Sequence, residues 1–135
     1  MTGHDDNHET APDSIDDAVA PAIQYADQAN ESIRDLTHVT MLPAQLPAPL
    51  VYEVLGNLKG VGSRLPQALL QLAKGLGRSI DQYDVYEDDA SDPVQSIATA
   101  TDHLTRAAQL ADQLGDELAK AQAAISRQGY RTRTE

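Results

Sequence analysis

Apolar residues recur every three or four positions along two long stretches of this chain, residues 49–82 and 92–128. That spacing matches the period of an α-helix, so each stretch predicts an amphipathic helix roughly 50 Å long. A short acidic linker, residues 84–92, joins them. Two long helices joined so briefly must fold back on each other, and the pattern therefore predicts an antiparallel helical hairpin.

The expected structure begins near Asp13, where a third apolar period runs from Ile15 to Leu36 and is interrupted by Pro21. Either the helix kinks at Pro21, or it starts there with the proline as its first residue. Prolines favour an extended connector over residues 37–48. We expect the N-terminal helix to be shorter than the other two and to lie along them, which makes the fold an all-α three-helix bundle.

The expected core positions form one stripe on each long helix. On the second helix they are Leu50, Val51, Val54, Leu55, Leu58, Val61, Leu65, Leu69, Leu72, Leu76, Ile80 and Tyr83. On the third they are Val94, Ile97, Thr101, Leu104, Ala108, Ala111, Leu114, Leu118, Ala121 and Ile125. Gly60, Gly62 and Pro66 interrupt the second stripe, which predicts a bend there or a close approach by another helix.

The third helix has the clearest start and stop signals. Asp92 can cap it, Pro93 suits the first helical position, and Gln95 completes a capping-box pattern. Gly129 is the expected terminating residue. These signals, with the acidic and aperiodic start of the chain, predict a disordered tail over residues 1–12, one helical domain over 13–129 and a flexible tail over 130–135.

The composition makes the expected core unusual. Hydrophobic residues are 41% of the 135, yet the chain has neither Phe nor Trp, so Leu, Ile, Val and Ala must fill the interior. Such residues suit closely packed helices. A formal net charge of −11 argues against direct binding to nucleic acid or anionic membranes and favours a basic protein partner. The chain has no cysteine, no apolar run long enough to span a membrane and no basic, apolar leader, so we expect a cytoplasmic protein.

A search for catalytic chemistry finds no constellation. The adjacent carboxylates have no reason to differ in environment, and the glycines of residues 56–63 lack the Lys-Ser/Thr ending of a phosphate loop. The acidic linker has neither the glycine nor the ligand spacing of a calcium loop. We therefore expect no enzyme activity, no cofactor and no metal site.

The linker is nevertheless a candidate contact tip. Amphipathic aromatic residues stand beside carboxylates there, a combination suited to recognition. These residues are Tyr83, Tyr86, Glu87, Asp88 and Asp89. The alternative interpretation is that both tyrosines only cap the end of the core.

Several segments between residues 31 and 129 carry a resemblance. They are residues 31–38 (ESIRDLTH), 51–56 (VYEVLG), 63–69 (SRLPQAL) and 92–93 (DP). Together they resemble uncharacterised all-helical proteins of actinobacterial genomes, often encoded near phage-like or conjugative mobile elements, which implies the fold and the host and no activity. The hairpin also resembles substrates of type VII secretion, although it lacks Trp-x-Gly at the turn and Glu135 lies one position too far from Tyr130.

Three functional hypotheses follow. The first is a protein that binds another macromolecule or assembles with itself as a homo-oligomer, because a thin hairpin leaves apolar surface uncovered. The second is an acidic inhibitor or DNA mimic that binds a nucleic-acid-binding protein, and it requires an ordered row of carboxylates. The third is a secreted helical-hairpin substrate.

Overall fold

The computed structural model describes the backbone of residues 3–133 and the side chains of residues 21–133. Three helices account for most of it: α1 (Gly3–Val39), α2 (Ala48–Gln82) and α3 (Pro93–Ala124). No strand occurs in the described residues. The prediction of an all-α fold is confirmed.

Helices α2 and α3 pack against each other as an antiparallel hairpin. Gln122, near the end of α3, donates a hydrogen bond to the Tyr52 carbonyl near the start of α2. Farther along, Gly62 lies against Gly115. Residue numbers rise on one helix as they fall on the other, so the two run in opposite directions.

Helix α1 differs from the prediction in both length and start. With 37 residues it is the longest of the three, not the shortest, since α2 has 35 and α3 has 32. It begins at Gly3 and continues through Pro21, across residues that the sequence analysis assigned to a disordered tail. Carboxylates are generally favourable near a helix N-terminus, and the sequence is acidic at residues 5, 6 and 9, which is a physical reason for the earlier start.

The chain divides into two compact units, residues 1–46 and 47–135, where the sequence analysis expected one domain over 13–129. In the first unit α1 is amphipathic. Its outward row of Asp27, Glu31 and Asp35 follows the four-residue spacing of one helix side. The prediction that α1 joins the hairpin as a third member stays a prediction.

The ends of the hairpin helices follow local sequence signals. Asp92 is the N-cap of α3, and its side chain accepts a hydrogen bond from the Val94 amide at 3.0 Å, as predicted. Helix α2 runs unbroken past Pro66. Helix α3 ends at Ala124, so Gly129 is not its terminating residue; turns at residues 125–127 end it first.

Candidate interaction surface

Helices α2 and α3 approach closely at a contact between two glycines. A Cβ added to Gly62 would stand 2.9 Å from the Gly115 Cα, 3.0 Å from the Gly115 nitrogen and 3.3 Å from the Ala111 carbonyl oxygen. These are backbone atoms, which cannot rotate away. A Cβ on Gly115 would meet its nearest atom, the Gly62 carbonyl carbon, at an ordinary 3.5 Å. Only Gly62 is therefore required to be glycine.

A buried glutamine fixes the register of the hairpin. The Gln122 side chain is 9% exposed, and its Nε2 donates to the Tyr52 carbonyl oxygen at 3.1 Å. The same nitrogen would stand 2.9 Å from a Cβ on Gly56, so the glycine makes room for it. Because a shift of the helices would leave this amide buried without a partner, the bond favours one alignment.

We call the contact between α2 and α3 the seam. On α3 its positions alternate by four and three: Ile97, Thr101, Leu104, Ala108, Ala111, Gly115, Leu118 and Gln122. Its buried apolar side chains are those of alanine alone, at Ala48, Ala73, Ala108 and Ala111. In the described residues no side chain is less than 2% exposed. The seam is narrow because small residues let the two backbones approach closely.

Many of the predicted core residues lie outside the seam. Leu72 is 58% exposed and Leu114 is 51% exposed, although both belong to the predicted stripes. Val61, Leu50 and Val94 are also exposed. The prediction that they are buried is wrong for the hairpin, because one partner helix can cover only a narrow arc of a helix surface.

Most of the exposed leucines of α2 and α3 lie on one side of the hairpin. Successive residues of an α-helix are turned by about 100°, which places Leu65 and Leu72 roughly 60–80° around α2 from Gly62. Leu114 and Leu110 lie to one side of the seam on α3, roughly 100° and 140° around that helix from Gly115. In an antiparallel pair these two sides coincide. We call this surface the outer apolar face: Val61, Leu65, Leu72, Leu76, Leu110 and Leu114.

The opposite side of the hairpin offers a contrast. Leu70 is 40% exposed there, almost the same as Leu65 at 38% on the outer apolar face. Its neighbours along that side of α2 include Lys59, Ser63 and Lys74. Large apolar residues are thus concentrated on one side, which distinguishes the outer apolar face from scattered surface leucines.

Basic and acidic residues are also distributed unequally between the two helices of the hairpin. In a chain with a formal net charge of −11, residues 54–80 of α2 carry four bases and no acid. The four bases are Lys59, Arg64, Lys74 and Arg78. Helix α3 carries four acids and two bases. Among the described residues the salt bridge present joins Lys120 to Glu117 within α3, so none links the basic helix to the acidic one.

The linker residues predicted as a contact tip lie together between the two helices. Tyr86 is 78% exposed and Tyr83 is 53% exposed. Two acids, by contrast, have local structural partners: Glu87 accepts a hydrogen bond from the Ser96 hydroxyl at 2.7 Å, and Asp89 accepts bonds from the Ser91 hydroxyl and amide. These bonds help to close the turn. A contact role for the tip stays a prediction.

The hydrogen bonds at Asp89 have an electrostatic consequence. The bond from the Ser91 hydroxyl, followed by the bond from the Ser91 amide, lowers the pKa of the Asp89 carboxyl from its ordinary value. Both donors stabilise the ionised carboxylate. The turn is thus built around a charged Asp89.

All five tyrosines, the only aromatic residues of the chain, are exposed. None has its side chain buried in the seam, although the Tyr52 carbonyl accepts the hydrogen bond from Gln122 there. A surface depression is lined by the consecutive residues Gly129, Tyr130 and Arg131, and it brings together no distant parts of the chain. No group of three or more His, Asp or Glu side chains that could hold a metal ion occurs within the part of the chain whose side chains are described.

Sequence reasoning missed Gly115 and Gln122 as seam residues.

Comparisons with known proteins do not add to the geometry: no protein-family model, curated protein or solved structure matches this chain. Within the described helices, none has a stretch of the length and hydropathy that a membrane crossing requires.

Proposed function

We propose that this chain is a non-enzymatic protein-interaction or assembly protein, and that the outer apolar face is its contact surface. The observation that carries the proposal is the inversion of residue size in the hairpin. Apart from Gln122, the buried residues of the seam are alanines and glycines, whereas leucines such as Leu72 and Leu110 stay 58% and 62% exposed. Exposed leucines gathered on one side are costly in water, and contact with a partner removes that cost.

A matched pair of substitutions tests the surface. Leu65→Glu places a charge within the outer apolar face, whereas Leu70→Glu makes the same change on the opposite side at a residue of nearly equal exposure. The tagged full-length chain and both variants are used to capture proteins from the cells that produce it, and the bound proteins are quantified by mass spectrometry.

We expect the wild type and Leu70→Glu to retain the same proteins and Leu65→Glu to lose them, since an unpaired carboxylate cannot be buried at a contact without a large cost. Equal helix content by circular dichroism shows that both variants are folded. Equal capture by all three chains would contradict the assignment of the surface.

A second function, an acidic inhibitor that mimics DNA, has one observation in its favour. Asp27, Glu31 and Asp35 form an exposed row on α1, about 6 Å apart along the helix axis. The triple change Asp27→Asn, Glu31→Gln and Asp35→Asn keeps the shape of this row and removes its charge. Loss of a captured DNA-binding protein with this variant, together with retention by Leu65→Glu, would favour the second function over the first.

A further inference from the structure

We infer that the side of α2 turned away from α3 binds an acidic helix of another protein. Five polar residues form this side, and we call them the basic row: Arg64, Gln67, Gln71, Lys74 and Arg78. The inference goes beyond the proposed function, because the basic row and the outer apolar face are different surfaces with different chemistry. Three observations carry it: the position of the row, its charge and its spacing.

The basic row lies opposite the seam. At about 100° per residue, its five members are turned roughly 120–180° around α2 from Gly62, the glycine that contacts α3. Leu65 and Leu72 of the outer apolar face are turned by only about 60–80° from the same glycine. All five side chains of the row are exposed. Another molecule can therefore contact the row without touching α3.

The charge of the row is opposite in sign to the charge of the whole chain. The sequence has 21 acids and 10 bases, yet residues 54–80 hold four bases and no acid. Three of these bases belong to the row, and the fourth, Lys59, is half-buried. Among the residues whose side chains are described, the salt bridge present joins Lys120 to Glu117 within α3. No acid in that part of the chain therefore neutralises the row.

The acids of α3 do not cancel this local charge. The row points away from α3, so more than about one helix diameter, roughly 10 Å, separates it from those carboxylates. Exposed charges that far apart are largely screened at physiological ionic strength, where the Debye length is about 8 Å. An anionic group close to the row therefore interacts mainly with its bases, although the net charge of the chain is −11.

The spacing of the row favours a helical partner. Its members alternate by three and four residues, so they form a nearly straight line along α2, about 21 Å long from Arg64 to Arg78. Carboxylates with the same alternation on another helix form a matching line. The amides of Gln67 and Gln71 can donate hydrogen bonds to carboxylates that lie between the bases. An acidic helix laid along α2 thus meets a donor at every turn.

Nucleic acid fits the row less well than an acidic helix. A DNA duplex gains affinity from each phosphate that Lys or Arg neutralises, and the row supplies three such residues. The duplex also carries far more charge than one helix, so the net charge of −11 repels it more strongly. A few carboxylates on a helix are matched in number by three bases and two amides.

Titration of the isotopically labelled full-length chain by nuclear magnetic resonance tests the row with a defined probe. The probe is a peptide of three Glu-Ala-Ala-Glu-Ala-Ala-Ala repeats, in which glutamates alternate by three and four residues. We expect shifts of backbone amide signals concentrated in residues 60–80 and a Kd of about 1 mM or tighter at low salt. The same peptide with glutamine in place of glutamate should cause no shifts.

Two triple variants determine whether position or net charge matters. The row variant replaces the three bases of the row: Arg64→Gln, Lys74→Gln and Arg78→Gln. The control variant replaces three bases outside α2: Arg106→Gln, Lys120→Gln and Arg127→Gln. Both variants lose the same charge. We expect the row variant to bind the peptide about 10-fold more weakly, from three lost exposed ion pairs, and the control variant to bind it nearly as the wild type does. Circular dichroism should show equal helix content.

Three results would overturn the inference. The first is a wild type whose amide signals in residues 60–80 do not shift. The second is equal weakening in the two triple variants, which would attribute binding to net charge. The third is tighter binding of a short DNA duplex with shifts at the same residues, which would make nucleic acid the ligand. None of these results bears on the outer apolar face, whose test uses Leu65→Glu and Leu70→Glu.

Discussion

The seam and the outer apolar face are two surfaces on the same pair of helices: the residues buried deepest in the seam are small, whereas the residues of the face are large and exposed. The seam has alanines that are 4–7% exposed and two glycines, whereas the face has leucines and a valine that are 37–62% exposed. Small residues bring two backbones close and bury little area. Large residues offer area but need another surface to cover them.

The seam and the outer apolar face have separate roles, which a single core combines in most small domains. The seam sets how the hairpin is shaped, since its tight glycine contact and its buried glutamine allow one spacing and one register. The face supplies apolar area for a contact beyond the hairpin. Changes in the seam should therefore alter folding of the single hairpin, and changes in the face should alter association.

The glycine contact gives the largest expected effect within the seam. Gly62→Ala places a methyl group against the Gly115 backbone at 2.9 Å, and we expect it to lower the free energy of unfolding by about 1–3 kcal/mol. Gly115→Ala makes ordinary contacts and gains helix propensity, so it should be neutral or raise stability by up to about 1 kcal/mol. Urea unfolding followed by circular dichroism measures both, and equal effects would refute the asymmetry.

A leucine on each surface compares the two directly. Leu69 is half-buried at the seam, and Leu69→Ala should cost about 2 kcal/mol. Leu72 is 58% exposed, and Leu72→Ala should cost less than about 1 kcal/mol. Urea unfolding of the two variants measures the difference. An equal loss at Leu72 would place it in the folding core of the hairpin.

The buried glutamine tests whether the seam holds one register. Gln122→Ala removes the hydrogen bond to the Tyr52 carbonyl, and we expect a loss of about 1 kcal/mol, since that carbonyl lies on a helix and can keep its own helical bond. Gly56→Ala crowds the same amide and should cost nothing further in the Gln122→Ala background. A double-mutant cycle by urea unfolding measures the coupling, and additive losses would show that the two residues act separately.

The cap of α3 tests whether the end of the hairpin contributes to folding as the seam does. Asp92→Ala removes the bond to the Val94 amide and should cost about 1 kcal/mol. Asp88→Ala removes a nearby exposed linker acid and should change the thermal midpoint little. Thermal unfolding of the two variants side by side measures the difference. Equal midpoints would mean that α3 is held by its seam contacts alone.

The smallest predicted effect lies in the linker. Ser91→Ala removes the hydroxyl donor, so the pKa of the Asp89 carboxyl should rise toward its ordinary value. Because the folded pKa of Asp89 is lowered, the stabilisation by this turn is present above the unfolded pKa and is lost as the pH falls through the folded pKa. A pH titration of the Asp89 side chain by nuclear magnetic resonance measures the shift. If the pKa of Asp89 does not change in this variant, the bond from the Ser91 amide alone accounts for the lowered pKa.

The parts of the fold that the sequence predicted depend on local rules. The period of three and four and the short linker were enough for the hairpin, and Asp92 with Pro93 was enough for the start of α3. The sequence predicts less well which side of each helix is buried. Its predicted stripe includes Leu114 because that residue is large and apolar, yet the neighbouring Gly115 occupies the seam.

A stricter use of the period could have found the missed seam residues. The alternation of four and three from Ile97 through Ala108 and Ala111 leads on to Gly115 and Gln122. A search for hydrophobic residues does not find Gly115 and Gln122, because glycine has no side chain and glutamine is polar. Which leucines stay exposed could not be predicted in the same way, because it depends on how narrow the contact between α2 and α3 is.

The exposed tyrosines have a practical consequence for spectroscopy. With no tryptophan or phenylalanine, the near-ultraviolet absorbance and the fluorescence of this protein come from its five tyrosines, whose side chains are all exposed. Those signals should change little when the seam of the hairpin forms. Quenching or a change in anisotropy would instead report a molecule arriving at the surface, and Tyr83 and Tyr86 would sense arrival at the tip. The tyrosine fluorescence of this protein should therefore respond more to binding than to folding of the hairpin.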